Sequence, residues 1–322
     1  MTLSYGSAVV TLRAVEQQGT VVAVDVRPQE TGVRTDLARD WAFAGRLLFR
    51  PWLWLNMICV DAPLVAITWQ WFFGRTFGVP VTAADRTALF LTAWLIYLAD
   101  RVADSFSNFE GGVASMRQAF CRRYRRSAFG VLLLIAAADI FVVAQHLERD
   151  LLPIGFGLGL VALGYLIINH SFDRVWGVLP IKELAVGSLF AIGTLTVLRS
   201  RASSANGELL MTAGMFAALC VCNAVAIASW ERGLDQAQGK VSLATKLPRI
   251  AAVAGVAAAA LAAACFTAAS VLRNLAPLFV STGASFVLLG ALDFGKRWLP
   301  RDDRTALADL ALLTPLLFAA VS

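Results

Sequence analysis

Charged residues are scarce in this 322-residue chain. Asp, Glu, Lys and Arg make up 16% of it and hydrophobic residues 58%, whereas a soluble globular domain is about a quarter charged. The composition therefore excludes an ordinary soluble domain and indicates a protein that lies in a lipid bilayer. We expect no nucleic-acid partner.

Cysteine and histidine are also few, and their positions exclude several kinds of site. The cysteines are scattered: Cys59, Cys121, Cys220, Cys222 and Cys265. They show neither a disulfide framework nor the ligand spacing of a zinc site. The two histidines, His146 and His170, each stand at the end of an apolar segment. They do not form the matched pair of a membrane haem protein.

The first 40 residues lack both long apolar runs and a basic segment followed by an apolar core, so we expect no cleavable signal peptide. We predict a cytoplasmic extension over residues 1–40 and a membrane domain over residues 41–322. Within the extension, "SAVVTLRAVEQQGTVVAVDVR" (residues 7–27) alternates apolar and polar residues. This alternation is typical of a short β-hairpin, which would form a cytoplasmic flap; a disordered segment is the alternative.

Apolar segments of on the order of 20 residues, long enough to cross a bilayer, recur in the rest of the chain. A backbone in lipid must satisfy its own hydrogen bonds, so these segments are expected to be helices. The predicted fold class is therefore an all-α, polytopic membrane protein with nine transmembrane helices. The predicted spans are 52–73, 85–100, 128–147, 151–170, 182–199, 208–229, 249–271, 275–293 and 305–321.

The basic residues predict an orientation for these spans. Of the 28 Lys and Arg residues, six precede the first span and sixteen follow even-numbered spans, whereas six follow odd-numbered spans. Cytoplasmic loops are enriched in Lys and Arg. We therefore expect a multi-pass protein of the cell (inner) membrane, with its N-terminus in the cytoplasm and its C-terminus outside.

Two pairs of carboxylates interrupt this apolar pattern. Asp100 and Asp104 end the second span, and Glu231 and Asp235 end the sixth. Residues four apart share one face of a helix, where like charges repel and are costly near a membrane. Solvent exposure with a local Arg partner is one interpretation of the first pair alone. Because both pairs are predicted to open to the same side, we favour magnesium binding, since Mg²⁺ prefers carboxylate, phosphate and water oxygens.

The loop after the second span is basic. It contains "RQAFCRRYRR", which includes Arg117 and Arg122. Clusters of cytoplasmic arginines often bind lipid headgroups. The alternative is that one or two of these guanidinium groups bind the oxygens of a diphosphate.

The two acidic segments resemble motifs of the UbiA superfamily of intramembrane prenyltransferases. "IYLADRVAD" is similar to the family motif N-D-x-x-D-x-x-x-D after the second span, and "ERGLDQAQGK" to the D-x-x-x-D motif with a following Gly-Lys after the sixth. The link "YLIINHSFDRVWGVLPIKELAVG" resembles the family's connection between the fourth and fifth spans, in which a Tyr and a Lys lie near the diphosphate. The resemblance runs from about residue 46 to the C-terminus.

The resemblance implies nine helices around a central cavity, a Mg²⁺ cofactor and transfer of a polyprenyl group from its diphosphate to a lipophilic acceptor, for example an aromatic one. By position in the motifs, it assigns the metal ligands to Asp100, Asp104, Glu231 and Asp235. The implied diphosphate contacts are Arg101, Arg117, Arg122, Tyr165, Lys182, Arg232 and Lys240. Arg101 and Arg232 are alternatively ion-pair partners of the acids beside them.

Further candidates concern the acceptor. Asp61 lies within the first predicted span, and an ionisable group inside a span is a functional hypothesis by default. It is a candidate base or acceptor ligand, with Asn56 beside it, or else the two form a buried hydrogen-bonded pair. Tyr97 is a third candidate, because this bulky residue stands where the family motif has Asp.

The chain also departs from the family pattern. Ile96 and Tyr97 replace the first Asn and Asp of the first motif, and Ile227 stands at an earlier acid position of the second. These changes leave two alternatives to prenyl transfer open. One is a terpene cyclase on the same fold, and the other is a non-catalytic membrane subunit that binds lipid, pigment or a membrane protein complex.

Overall fold

The computed structural model describes residues 2–5, 8–11, 50–106, 114–172, 174–178, 181–202 and 207–319, and divides the chain into two units between Pro51 and Trp52. In the first unit, β1 (Thr2–Tyr5) pairs antiparallel with β2 (Ala8–Thr11). The sequence predicted a hairpin within residues 7–27. β2 lies in that range, but its partner precedes it, and residues 12–27 lie outside the described residues, as does the predicted domain boundary at residue 40.

The second unit has no strand among its described residues and is built from helices. In chain order they are α1 (Pro51–Met57), α2 (Asp61–Phe77), α3 (Ala83–Asp104), α4 (Met116–Arg123), α5 (Arg125–His146), α6 (Leu152–Ser171), α7 (Arg174–Val178), α8 (Lys182–Arg201), α9 (Gly207–Ala237), α10 (Leu243–Lys246), α11 (Pro248–Ala252), α12 (Ala254–Val271), α13 (Ala276–Phe294), α14 (Arg301–Leu310) and α15 (Pro315–Ala319). Three short 3₁₀ turns lie at Arg149–Leu151, Arg273–Leu275 and Gly295–Arg297.

Six helical segments are long and apolar enough to cross a bilayer, and the bent pair of α1 and α2 makes a seventh if it is counted as one span. The six are Arg125–His146, Arg149–Ser171, Lys182–Arg201, Gly207–Ala237, Ala254–Val271 and Arg273–Arg297. These correspond to the third to eighth predicted spans, so the chain is a multi-pass membrane protein.

The predicted count of nine spans is not confirmed. The second, α3, has 22 residues but carries charged residues at both ends, including Asp85 and Asp104, which lower its apolar character. The ninth is broken between Leu310 and Pro315 into α14 and α15, and α14 is rich in charge.

A sharp bend separates α1 from α2. The two helices meet at 92°, and Cys59 between them has φ of +59°, a left-handed conformation that few residues other than glycine adopt. The Trp94 indole of α3 donates to the Ile58 carbonyl at 2.8 Å, which satisfies a backbone group of the bend. Asp61 therefore begins α2, at the positive end of the helix dipole, and does not lie in the middle of a straight span.

The core lies between α2, α8, α9, α12 and α13. Its largest fully buried side chains include Trp69, Phe73, Phe216, Phe279 and Phe286. In contrast, α5 and α6 expose large apolar side chains on most of their surface. Apolar residues on this outer surface are suited to contact with lipid chains.

Helices α8 and α9 approach each other closely at Gly187. A Cβ added at this position would lie 2.7 Å from the backbone nitrogen of Val221. A small residue at such a crossing lets two helix backbones pack together. This contact brings the residues of both helices to the cavity described next.

Candidate functional site

A cavity of about 230 Å³ opens among α2, α3, α4, α6, α8, α9 and α14. Ten of the residues predicted from the sequence line it: Tyr97, Asp100, Arg101, Asp104, Arg117, Tyr165, Lys182, Glu231, Asp235 and Lys240. Apolar side chains complete the wall, among them Val65, Ile96, Val186, Phe190 and Ile227. The two acidic motifs, 127 positions apart at Asp104 and Glu231, thus face the same space.

The first acidic pair contacts groups from two other parts of the chain, the end of α6 and the turn after α9, and Arg101 of its own helix. The Lys240 Nζ donates to Asp104 Oδ1 at 2.8 Å, and the Asn169 amide donates to Asp100 Oδ1 at 3.1 Å. The Arg101 guanidinium lies 3.8 Å from Asp100 and 3.9 Å from Asp104. His170 Nε2 lies 3.4 Å from Asp104 Oδ1. Positive charge therefore surrounds this pair on the cavity wall.

The second acidic pair differs in its two members. One nitrogen of Arg117, Nη2, donates to both carboxylate oxygens of Glu231, at 2.7 and 2.6 Å. The side chains of both partners are largely buried. Asp235, one turn later, lines the cavity beside Lys240.

Local backbone structure places these basic residues. Gly239 follows α9 with φ of +66°, the left-handed conformation that commonly ends a helix, and the Lys240 amide donates back to the Asp235 carbonyl at 2.8 Å. This turn directs Lys240 to Asp104. Similarly, Ser115 caps α4, the helix that carries Arg117, through a capping box with Gln118.

Helix α4 also packs against α3. The Cys121 thiol donates to the Arg101 carbonyl at 3.4 Å, and burial raises the pKa of this thiol. Cys121 is thus a neutral packing residue. It fixes the distance between the helix that carries the first acidic pair and the helix that carries Arg117.

Four predicted residues do not line this cavity. Asn56, which is half-buried, donates to Oδ2 of the buried Asp61 at 2.7 Å, and this hydrogen-bonded pair was one of the sequence alternatives. Arg122 and Arg232 lie on exposed helix faces. Arg232 follows Glu231 directly, so it points about 100° around α9 from the residue that faces the cavity.

The departures from the family motif lie on the wall of the cavity. Ile96, Tyr97 and Ile227 all line it. The Tyr97 ring packs edge to face against Phe190, with ring centroids 6.3 Å apart. In this chain, larger and more apolar side chains therefore occupy the positions that carry polar residues in the family.

Sequence reasoning missed several polar residues of the site. Glu183, Asn223 and Asp309 line the cavity, and His170 contacts the first acidic pair. Asp309 lies within the ninth predicted span, so the criterion that singled out Asp61 would have found it. Asn169 and His170 end the fourth predicted span on the same side as the acids, and that shared position was the available signal.

The oxygen donors that line the cavity fit a Mg²⁺ ion that is held partly by the protein and partly by substrate phosphate and water. Among the described residues, no three His, Cys, Asp or Glu side chains form a group that could hold a metal by themselves. The cavity does offer carboxylate oxygens from Asp100, Asp104 and Asp235, and Glu183 Oε2 is buried without a hydrogen-bond partner. Mg²⁺ is commonly bound by one or two carboxylates, with substrate phosphates and water completing its shell.

Comparison with known proteins gives a likeness in fold. No protein-family model matches the chain, and no curated protein sequence matches it. The apo structure of a UbiA homolog from Aeropyrum pernix K1 superposes with a TM-score of 0.57 and 14% sequence identity, over 81% of this chain and 98% of that chain. The resemblance drawn from the two acidic motifs is thus confirmed at the level of structure: the chain has a UbiA-like fold.

Proposed function

We propose that the protein is a Mg²⁺-dependent prenyltransferase that moves a polyprenyl group from its diphosphate to a lipophilic acceptor within the membrane. The observation that carries this proposal is the cavity, which joins a strongly charged end to an apolar wall. An amphipathic substrate with a charged head and a hydrocarbon tail is complementary to both. The UbiA-like fold supports the same class of reaction.

The charged end is suited to a diphosphate. Lys182, Lys240, Arg101 and Arg117 supply positive charge, and Tyr165 supplies a hydroxyl. Asp100, Asp104 and Asp235 would hold Mg²⁺, with Glu231 available if Arg117 moves to the diphosphate. When bound, Mg²⁺ would neutralise the diphosphate and help pyrophosphate to leave. Basic groups aimed at the leaving oxygen stabilise the charge that develops there.

The apolar wall is suited to the other product of bond breakage. As the allylic C–O bond breaks, its electron pair leaves with the pyrophosphate and the prenyl carbon becomes positive. Val65, Ile96, Phe190 and Ile227 keep water away from this carbon, so that the acceptor captures it in place of water. The aromatic ring of Tyr97 is also placed to stabilise positive charge.

The deciding experiment is release of pyrophosphate by the purified protein in nanodiscs, supplied with Mg²⁺ and farnesyl or geranylgeranyl diphosphate. Asp100→Asn and Glu231→Gln are tested beside the parent, and Asp150→Asn, an exposed acid outside the cavity, is the matched control. We expect Mg²⁺-dependent release that both cavity variants abolish and the control retains. Absence of both release and Mg²⁺-dependent diphosphate binding in the parent would refute the proposal.

The product separates the enzyme alternatives. A cyclised hydrocarbon or alcohol formed without any added acceptor would identify a terpene cyclase, whereas release that requires an acceptor identifies a transferase. A non-catalytic subunit is favoured by one observation, the saturation of Glu231 by Arg117. That alternative predicts no release from any variant and co-purification of a stoichiometric membrane partner.

The basic residues support an orientation for the proposed enzyme. With the charged end of the cavity on the side of the even-numbered loops, the diphosphate would enter from the cytoplasm of a cell with this protein in its inner membrane. Labelling of single cysteines at positions 126 and 273 in intact cells tests this, because the two loops are predicted to lie on opposite sides.

A further inference from the structure

A second polar group lies in the cavity, apart from the two acidic motifs. Helix α14 contributes Asp309, and α9 contributes Asn223, two turns before Glu231. The Asn223 amide donates to Asp309 Oδ1 at 2.8 Å. Both residues line the cavity, so α14 supplies a functional group to a site to which α2, α3, α4, α6, α8 and α9 also contribute.

This pair leaves hydrogen-bond acceptors unused. The Asn223 side chain is almost completely buried, at 8% exposure, and its Oδ1 has no hydrogen-bond partner. A buried polar atom without a partner is costly, and most such atoms in proteins are satisfied. Asn223 lines the cavity, so a ligand there is the group that could supply the missing hydrogen after a small rotation of the amide.

Asp309 differs from the motif acids in its surroundings. Lys240 neutralises Asp104, and Arg117 neutralises Glu231. Among the described residues, by contrast, no Lys, Arg or His lies within ion-pairing distance of the Asp309 carboxylate. Its nearest support is a neutral amide, so the pair is less suited to hold a diphosphate than the charged end of the cavity, where Lys240 and Arg117 lie.

The neighbouring wall is apolar. Cys220 and Ala224 on α9, and Leu312 just after α14, line the same cavity. A ligand that fits here is therefore lipophilic and presents a donor hydrogen, because an amide oxygen and an ionised carboxylate can only accept. A few polar groups in an apolar pocket commonly fix the orientation of a small molecule.

We propose that Asp309 and Asn223 form the acceptor subsite, and that they bind the hydroxyl group of a lipophilic phenol or alcohol. This inference rests on the proposed function, since it takes the charged end of the cavity to be the diphosphate site. The hydroxyl donates to the free oxygens of the pair, which orients the acceptor toward the prenyl carbon. An acceptor whose only polar groups are ethers or ketones lacks the donor hydrogen and binds more weakly.

The test compares two probes, 1-naphthol and its methyl ether 1-methoxynaphthalene, in which a methyl group replaces the donor hydrogen. Binding to the full chain in nanodiscs is measured by calorimetry, with empty nanodiscs subtracted. The variants are Asp309→Leu, the near-isosteric Asp309→Asn, and Asp139→Asn as the matched control. Asp139 is also a buried acid, but it accepts from Thr92 between α3 and α5 and does not line the cavity.

We expect the parent and Asp139→Asn to bind naphthol about tenfold more tightly than the ether, the preference that one hydrogen bond to a charged group provides. Asp309→Leu removes this preference, and Asp309→Asn reduces it. No preference in the parent, or a preference that survives Asp309→Leu, overturns the inference. Asp309→Asn keeps an oxygen that can accept from Asn223, so it should fold even if Asp309→Leu does not, and the test does not depend on one variant.

Binding of farnesyl thiodiphosphate with Mg²⁺ to the same samples separates the two proposals. We expect the Asp309 variants to retain it. Diphosphate binding without a hydroxyl preference would refute the acceptor subsite alone. A hydroxyl preference without diphosphate binding in the parent would support the subsite and refute prenyl transfer.

Discussion

The two ends of helix α3 carry carboxylates in very different states. At its start, Asp85 is 2% exposed and accepts from Thr82 and from both terminal nitrogens of Arg201, at 2.6 and 3.0 Å. At its end, Asp104 accepts from Lys240 at 2.8 Å, and Asp100 keeps 27% of its side chain exposed. The first end is closed by protein groups, and the second opens into the cavity.

This difference shows what makes an acid in an apolar helix a candidate site. Burial or charge alone does not distinguish Asp85 from Asp104, since both are buried and both are paired. The distinction lies in whether the surrounding protein uses all of the carboxylate's hydrogen-bonding capacity. Asp85 is saturated and serves the fold, whereas the acids at the other end retain capacity for a ligand.

The largest expected effect is on turnover at the open end. Asp104→Asn removes a negative charge that the proposed reaction needs, and we expect pyrophosphate release to fall by about a hundredfold or more, the scale seen when one electrostatic group of an active site is lost. The melting temperature should change little. Asp85→Asn is the comparison at the closed end, with a lower melting temperature and parental release per folded molecule. Equal losses of activity in both variants would contradict the distinction.

The next effect is on stability at the closed end. Arg201→Met leaves Asp85 buried without its cation, which should lower the free energy of unfolding by about 3 kcal/mol. Arg201 also donates to the Pro80 carbonyl at 2.7 Å, so a loop loses its anchor as well. Denaturant unfolding in detergent measures the change.

The control for that change is Arg199→Met on the same helix. Arg199 is exposed, and removal of an exposed charge usually alters stability by less than about 0.5 kcal/mol. A similar loss in both variants would mean that the ion pair with Asp85 contributes nothing beyond general charge.

A smaller loss of stability is expected at the crossing of α8 and α9. Gly187→Val places a side chain against the Val221 backbone, 2.7 Å away at its Cβ, and overpacking of this kind costs about 2 kcal/mol. Gly193→Val is the control, because nothing lies within 4 Å of a Cβ at that position. Destabilisation by Gly193→Val alone would contradict the close crossing.

The spacing of acids predicted much of the open end. Asp100, Asp104, Glu231 and Asp235 all line one cavity, because an i, i+4 pair keeps to one helix face whatever the tertiary structure. The third to eighth spans were also predictable from their long apolar runs. In both cases the pattern lies within one helix, so tertiary packing does not change what it predicts.

The remaining features depend on contacts between distant segments. The bend at Cys59 moves Asp61 to a helix start, and nothing in the local pattern marks it. The structural role of Asp85 depends on its ion pair with Arg201, which lies 116 residues later in the chain. Asp309 lies within the ninth predicted span, but its place in the cavity depends on the packing of α14 against α9, which the local sequence does not show.

The smallest predicted effect concerns the residues that cap α3, at its closed end, and α4, the helix that packs against its open end. Thr82 caps α3 beside Asp85, and Ser115 caps α4, each in a capping box. Substitution of either by Ala should lower the free energy of unfolding by about 1 kcal/mol. Because α4 carries Arg117 to Glu231, Ser115→Ala should in addition raise the KM for the diphosphate, whereas Thr82→Ala should leave it unchanged.

Thermal unfolding and steady-state kinetics on the same nanodisc preparations measure both quantities. Both variants are expected to lose the same free energy of unfolding, so a difference in KM between them reports on how close each cap lies to the cavity. An unchanged KM in Ser115→Ala would mean that α4 holds Arg117 without help from its cap, through packing such as the Cys121 contact with α3. A raised KM in Thr82→Ala would mean that the closed end of α3 is coupled to its open end along 22 residues of helix, so that the saturated acid also serves the site.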